Sequence, residues 1–213
     1  MEKLKVPHLP QLDRLDLPSI GSVMEHKALR KYIDTVNWGA YPYKPVAVFD
    51  IARTDTNLYI RFFVRGSSLK ALHLADGSPV FTDSCVEFFM RKDGDTEYMN
   101  FEFNCIGTCD ASRRRSRDDK QSLAPEGYAA IRRHSSLAKK AMEEQKGIYA
   151  WELTVAIPFT VMGLDPQHLP EKITGNFYKC ADDTETPHYL SWNPVHTQHP
   201  DFHRPEFFGD IYL

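Results

Sequence analysis

Strict alternation of apolar and polar side chains limits this chain more than any other feature. In "PVAVFDIARTDTNLYIRFFVRG", residues 45–66, Leu58, Ile60, Phe62 and Val64 fall on one face, and Tyr59, Arg61, Phe63 and Arg65 on the other. Period two is the signature of a strand with one buried face, and the TDTN segment reads as the turn between two such strands. A second hairpin follows in "SCVEFFMRKDGDTEYMNFEFNC", turning at KDGD, and "GIYAWELTVAIPF" is a further strand closed by a proline. "NFYKC", "HYLSW" and "FFGDIYL" are shorter candidates. Helix signals are few. "SVMEHKALRKY" opens with a capping-box pair, Ser22 and Glu25, and predicts three turns, whereas "SSLAKKAMEEQKG" has helical composition but a poor apolar stripe and stays open between helix and strand. Many short strands without alternating helices predict an all-β, immunoglobulin-like antiparallel β-sandwich with one or two short helices. With 213 residues and 42% hydrophobic content, residues 1–213 are expected to form one domain, with 1–37 as an N-terminal extension and first elements.

The second hairpin can be read further. Val86, Phe88 and Met90 share a face with Met99, Phe101 and Phe103, while Cys85, Glu87, Phe89 and Arg91 share the other with Tyr98, Asn100, Glu102 and Asn104. A one-residue slip would flip a whole face, so the parity is fixed. The simplest register over KDGD pairs Arg91 with Tyr98 and sets Glu87 opposite Glu102. Like charges directly opposite cost stability, so a neighbour must compensate: Arg61, Arg65 or an arginine of 113–117. Carboxylates, amides and a phenol beside aromatic rings are what a sugar-binding sheet needs, the polar groups meeting hydroxyls and the rings covering apolar pyranose faces. The same pair fits a second chemistry, because opposed Cβ atoms stand about 5 Å apart, close to the carboxyl separation of retaining glycosidases.

The net charge of −3 argues against nucleic acid as a partner, no apolar run is long enough to span a membrane, and no signal peptide is visible, which favours a cytoplasmic setting over the periplasmic or secreted one expected if the chain starts after a removed signal. "GTCDASRRRSRDDK" reads as a solvated loop between strands. Cys85, Cys105, Cys109 and Cys180 match no zinc-ribbon spacing and read as reduced, part-buried thiols. Residues 187–209, "PHYLSWNPVHTQHPDFHRPEFFG", carry four histidines and four prolines, so this segment must be an extended, irregular strap. Its histidines read as hydrogen-bonding groups rather than metal ligands, since prolines between them prevent a preformed donor face. No cofactor is expected, although Asp93, Asp95 and Glu97 at the hairpin turn offer a structural calcium site that lacks the full ligand set of a calcium loop.

"VFTDSCVEFFM", "EYMNFEFN", "WELTVAIPF", "NFYKC", "SWNP" and "PDFHRPEFFGDIYL" occur in the order seen in family 9 carbohydrate-binding modules. The chain resembles especially the single-domain proteins of this type from gut Bacteroidetes, from about Trp38 to Leu213. The resemblance implies an immunoglobulin-like sandwich whose cleft holds the reducing end of a sugar between two tryptophans. Phe81 and Phe202 stand at the tryptophan positions, Glu87 matches a glutamate that bonds sugar hydroxyls, Glu102 replaces a basic residue, and a family asparagine falls near His199. Trp192 matches a structural position. Phe202 and His203 are expected to face Phe81 and Glu87 across the cleft, with Asn104 on the same sheet face and Phe207 and Phe208 anchoring the strap. The expected function is non-catalytic binding of a mono- or oligosaccharide end, alone or beside a separate glycanase or other protein. The alternatives are a glycan-processing hydrolase using Glu87 and Glu102, and a protein-interaction sandwich with a decayed sugar site.

Overall fold

A computed structural model describes residues 3–213. In chain order its elements are β1 (Lys3–Lys5), α1 (Leu17–Lys27), β2 (Leu29–Tyr32), β3 (Thr35–Val36), β4 (Val46–Arg53), β5 (Asn57–Ala71), β6 (Cys85–Lys92) and β7 (Tyr98–Asn104). They continue with β8 (Cys109–Arg114), β9 (Lys120–Ser122), α2 (Pro125–Ala130), β10 (Arg132–Ser135), β11 (Met142–Pro158), β12 (Lys172–Cys180), β13 (Tyr189–Ser191) and β14 (Gly209–Tyr212). The strands form two sheets packed as a β-sandwich. One runs β1-β14-β12-β6-β7-β8-β9, with β13 and β3 continuing from β12, and the other runs β10-β11-β5-β4-β2. Among these strands every pairing is antiparallel except β1 with β14.

Both hairpins follow the alternation. Thr54 fixes the first turn, its Oγ1 accepting from the amides of Thr56 and Asn57 at 3.2 and 3.0 Å. Leu58, Ile60, Phe62 and Val64 of β5 join Val86, Phe88, Met90, Met99, Phe101 and Phe103 of the facing sheet in the main core. Phe49 stacks on Phe177 across the two sheets at 3.6 Å between ring centroids, and Trp192 packs edge-on against both, a core residue as expected. On the back of the five-stranded sheet α1 covers a smaller cluster around Tyr59 and Ala156.

Two local expectations are corrected and one open reading is decided. The helix starts earlier than its capping-box reading, at Leu17, because Asp16 accepts the amide of Ser19 at 2.8 Å and Pro18 sits in the first turn; residues 29–32 are strand. The helix-like composition of 142–146 is overridden by pairing with β5, through two register irregularities, so this segment extends β11. The arginine-rich 109–114 is a buried strand, not a solvated loop: Cys109 and Ala111 face the main core.

The strap also lies elsewhere than expected. It does not cross the end of the sandwich but covers the outer face of the nine-stranded sheet, closing a second core of Trp38, Phe89, Tyr98, Tyr178, Phe202 and Phe208. Prolines are tolerated there because Pro194, Pro200 and Pro205 lie outside the short ladder that the strap makes through β13, Tyr189–Ser191. Its own backbone bonds are met by side chains distant in sequence: Trp38 Nε1 donates to the Thr197 carbonyl at 2.9 Å, Tyr178 Oη to that of Phe202 at 3.2 Å, and the Asn193 amide to Asn176 Oδ1 at 2.9 Å.

Candidate functional site

The sheet face beneath the strap carries a row of carboxyl groups. Antiparallel pairing sets Glu87 of β6 opposite Glu102 of β7, as the hairpin register predicts, and Glu102 opposite Asp110 of β8. Glu87, Glu102 and Asp110 are each 4% exposed or less. Compensation for Glu102 comes from β8: Arg114 Nε donates to Asn100 Oδ1 at 2.8 Å, and Asn100 Nδ2 donates to Glu102 Oε1 at 2.8 Å. Neither Arg61 nor Arg65 serves this purpose. Both are on β5 of the other sheet, where Arg61 pairs with Asp50 and Glu152. Burial, then the Asp110 charge, pushes the Glu102 carboxyl up to about 7 despite Arg114. Burial, reinforced by Glu102, holds the Glu87 carboxyl well above the usual range.

Glu87 has different company. Cys180 Sγ lies 3.0 Å and Cys85 Sγ 3.9 Å from its Oε1. Cys85 and Cys180 are direct partners across β6 and β12, both are free thiols, and all four cysteines are buried.

Above the row opens a cleft of about 400 Å³ that brings together Phe81, Glu87, Glu102, Phe202 and His203. The two phenylalanines are not equivalent. Phe81 is 37% exposed, whereas Phe202 is 8% exposed and stacks on Tyr178 at 4.1 Å. The Phe81 carbonyl accepts the Asp182 amide at 3.1 Å, tying its loop to the end of β12. His203 Nδ1 is 3.0 Å from Tyr98 Oη, and burial beside Arg114, Arg117 and Lys120 lowers its pKa to about 3, so the ring is neutral.

Two expected residues are not in the cleft. Asn104 is wholly buried and spends its amide on the framework, donating to the His73 carbonyl and to Asp83 Oδ2 at 2.9 Å each and accepting the Thr108 amide at 2.9 Å. It thereby holds the 72–84 loop that carries Phe81. His199 is exposed on the strap, its carbonyl receiving Thr197 Oγ1. Conversely, Asp110, Lys120, Asp182 and Tyr189 line the cleft without a signal read from the sequence, while Arg114 and Arg117 come from the 113–117 arginines expected to compensate the glutamates. The signal was present for Asp110 and Arg114, since residues 109–114 alternate Cys109 and Ala111 against Asp110, Ser112 and Arg114.

The hairpin-turn acids have cationic partners: Glu97 pairs with Arg115 at 2.9 Å and Arg113 at 3.5 Å, and Asp93 lies 3.9 Å from Lys172. Of the strap histidines, His196 packs edge-on to Phe207 and His203 on Phe89. No helix among the described residues is long and apolar enough to cross a membrane.

A family model described as carbohydrate-binding family 9 matches residues 19–213. A crystal structure of a "putative carbohydrate-binding protein" from Bacteroides uniformis is similar over 99% of this chain and 98% of its own, with 34% identity and a TM-score of 0.91. A family 9 module from Caldicellulosiruptor kristjanssonii, solved with glucose, covers 100% of this chain and 95% of its own at 13% identity and a TM-score of 0.62. The same organism's module with cellotriose covers 100% and 93% at 12% identity and a TM-score of 0.53. At those identities the likeness shows the fold alone. No curated protein matches the chain.

Proposed function

The chain belongs to carbohydrate-binding family 9, and on that premise we propose that its cleft binds the end of a mono- or oligosaccharide without cleaving it. The observation that carries the reading is the union, in one cleft of about 400 Å³, of an open ring face at Phe81 with the buried carboxyls of Glu87 and Glu102. A ring covers the apolar face of a pyranose, and a carboxyl that keeps its proton both donates to and accepts from sugar hydroxyls. Phe202, Tyr189 and His203 complete the wall. In this reading residues 1–213 act as one binding unit, alone or beside a separate glycanase.

Hydrolysis needs two carboxyls whose environments drive their pKa values apart. Here burial raises both, which supports binding over catalysis. A second reading, a sandwich that binds protein through a decayed sugar site, is favoured by two observations: Phe202 is packed on Tyr178, and Glu102 is linked to Arg114 through Asn100. The exposure of Phe81 and the open cleft favour the sugar. Calorimetric titration with a panel of mono- and oligosaccharides, alongside Phe81→Ala and Glu87→Gln, tests the choice; no binding of any sugar would favour the protein-binding reading.

A further inference from the structure

We propose that Cys85, Glu87 and Cys180 form a binding site for a thiophilic divalent cation, zinc being the member that fits best, with one coordination position open to the cleft.

Sheet geometry assembles the donors. Cys85 and Glu87 are two residues apart on β6 and so share a face, while β12 sets Cys180 directly opposite Cys85. One donor atom from each lies within 4.8 Å of the others, and the two thiols stand 3.0 and 3.9 Å from Glu87 Oε1. Zinc bonds of about 2.3 Å to sulfur and 2.0–2.2 Å to oxygen place tetrahedral donors about 3.5–3.8 Å apart, so side-chain adjustments of about an ångström seat the ion. Two thiolates and a carboxylate are a soft donor set that favours zinc over calcium or magnesium.

A second observation points to the same place. The Glu87 carboxyl is 2% exposed, and among the described residues its hydrogen-bond partners are the two thiols alone, with no cation or N–H donor. A buried acid without such a partner stays protonated. The cation replaces these protons: Zn²⁺ displaces one from each thiol and one from the carboxyl, leaving a complex of charge −1 and releasing three protons. The buried Lys179, whose Nζ is held by the Cys180 carbonyl at 2.6 Å and lies 2.9 Å from His188 Nε2, is the nearby basic group that would offset part of that charge, while Glu102 and Asp182 oppose it. Glu87 and Cys180 both line the cleft, so the vacant position faces it. Three protein ligands with a fourth position free is the arrangement of zinc sites that take an exogenous ligand.

The proposal goes beyond the sugar reading and does not depend on it. Cobalt(II), which occupies tetrahedral zinc sites and is coloured, is titrated into the reduced full chain without sugar. The expected result is one equivalent bound, with a thiolate-to-cobalt band in the near ultraviolet that one equivalent of zinc removes. Cys85→Ser and Cys180→Ser should each shrink the band and weaken binding more than about tenfold. Glu87→Gln keeps both thiols and, should either serine variant fail to fold, tests the third ligand by the same loss of affinity. Absence of a thiolate band in the wild-type protein, or cobalt affinity unchanged in the folded variants, overturns the site; uptake by surface histidines alone would give the latter. Failure here leaves sugar titration in a chelator unaffected, and failure of that titration leaves the cobalt band in place.

Discussion

Glu87 and Glu102 face each other across two adjacent strands, and both are buried. Since opposed like charges in a buried place are unfavourable, the pair can be held together only by keeping protons, by the Arg114–Asn100 relay on one side, or by a ligand.

That arrangement gives a pH signature. The folded-state value of Glu102 is raised from 4.5 to about 7, so its contribution to stability is fully present below about pH 4.5 and is lost as pH rises through 7. Glu102→Gln keeps an acceptor for Asn100 and removes the ionisation. The variant should match the wild type near pH 4 and exceed it at pH 8 by about 1–3 kcal/mol in urea unfolding. The neutral, buried His188 and His203 titrate in both proteins and cancel in the comparison. Equal stabilities at pH 8 would show that Glu102 carries no penalty.

Much of this was legible in the sequence. Period-two alternation fixed which faces of β5, β6 and β7 are buried, and the short KDGD turn fixed the Glu87–Glu102 pairing, because both depend on neighbours in the chain. What was left open or missed depends on contacts distant in sequence. Residues 142–146 are strand only because β5 is long enough to hold them, and Asn104 looks like a ligand group until the 72–84 loop folds over it. The strap could be recognised as irregular from its prolines, but not which surface it covers. Its role as a lid comes from Tyr178 and Trp38 bonding its carbonyls.

The two phenylalanines of the cleft should separate stability from binding. Phe202→Ala removes a ring stacked on Tyr178 and should cost about 3 kcal/mol or more of unfolding free energy. Phe81→Ala, at an exposed position, should change stability by less than about 1 kcal/mol. Denaturant unfolding of both variants checks this, and an equal loss would show that Phe81 is structural.

Asn104→Ala should destabilise by about 2–3 kcal/mol, since it strands the buried Thr108 amide and removes donors from the His73 carbonyl and Asp83. Amide hydrogen exchange should quicken most in residues 72–84. Faster exchange spread evenly over the chain would contradict the view that Asn104 holds that loop in particular.

The central claim is that the cleft is a sugar site, and calorimetric titration of mono- and oligosaccharides in the presence of a chelator tests it most directly. The account predicts saturable one-to-one binding of at least one sugar, weakened about tenfold by Phe81→Ala through lost stacking and contact area and weakened further by Glu87→Gln. No binding of any sugar, or an affinity that both substitutions leave unchanged, would contradict it.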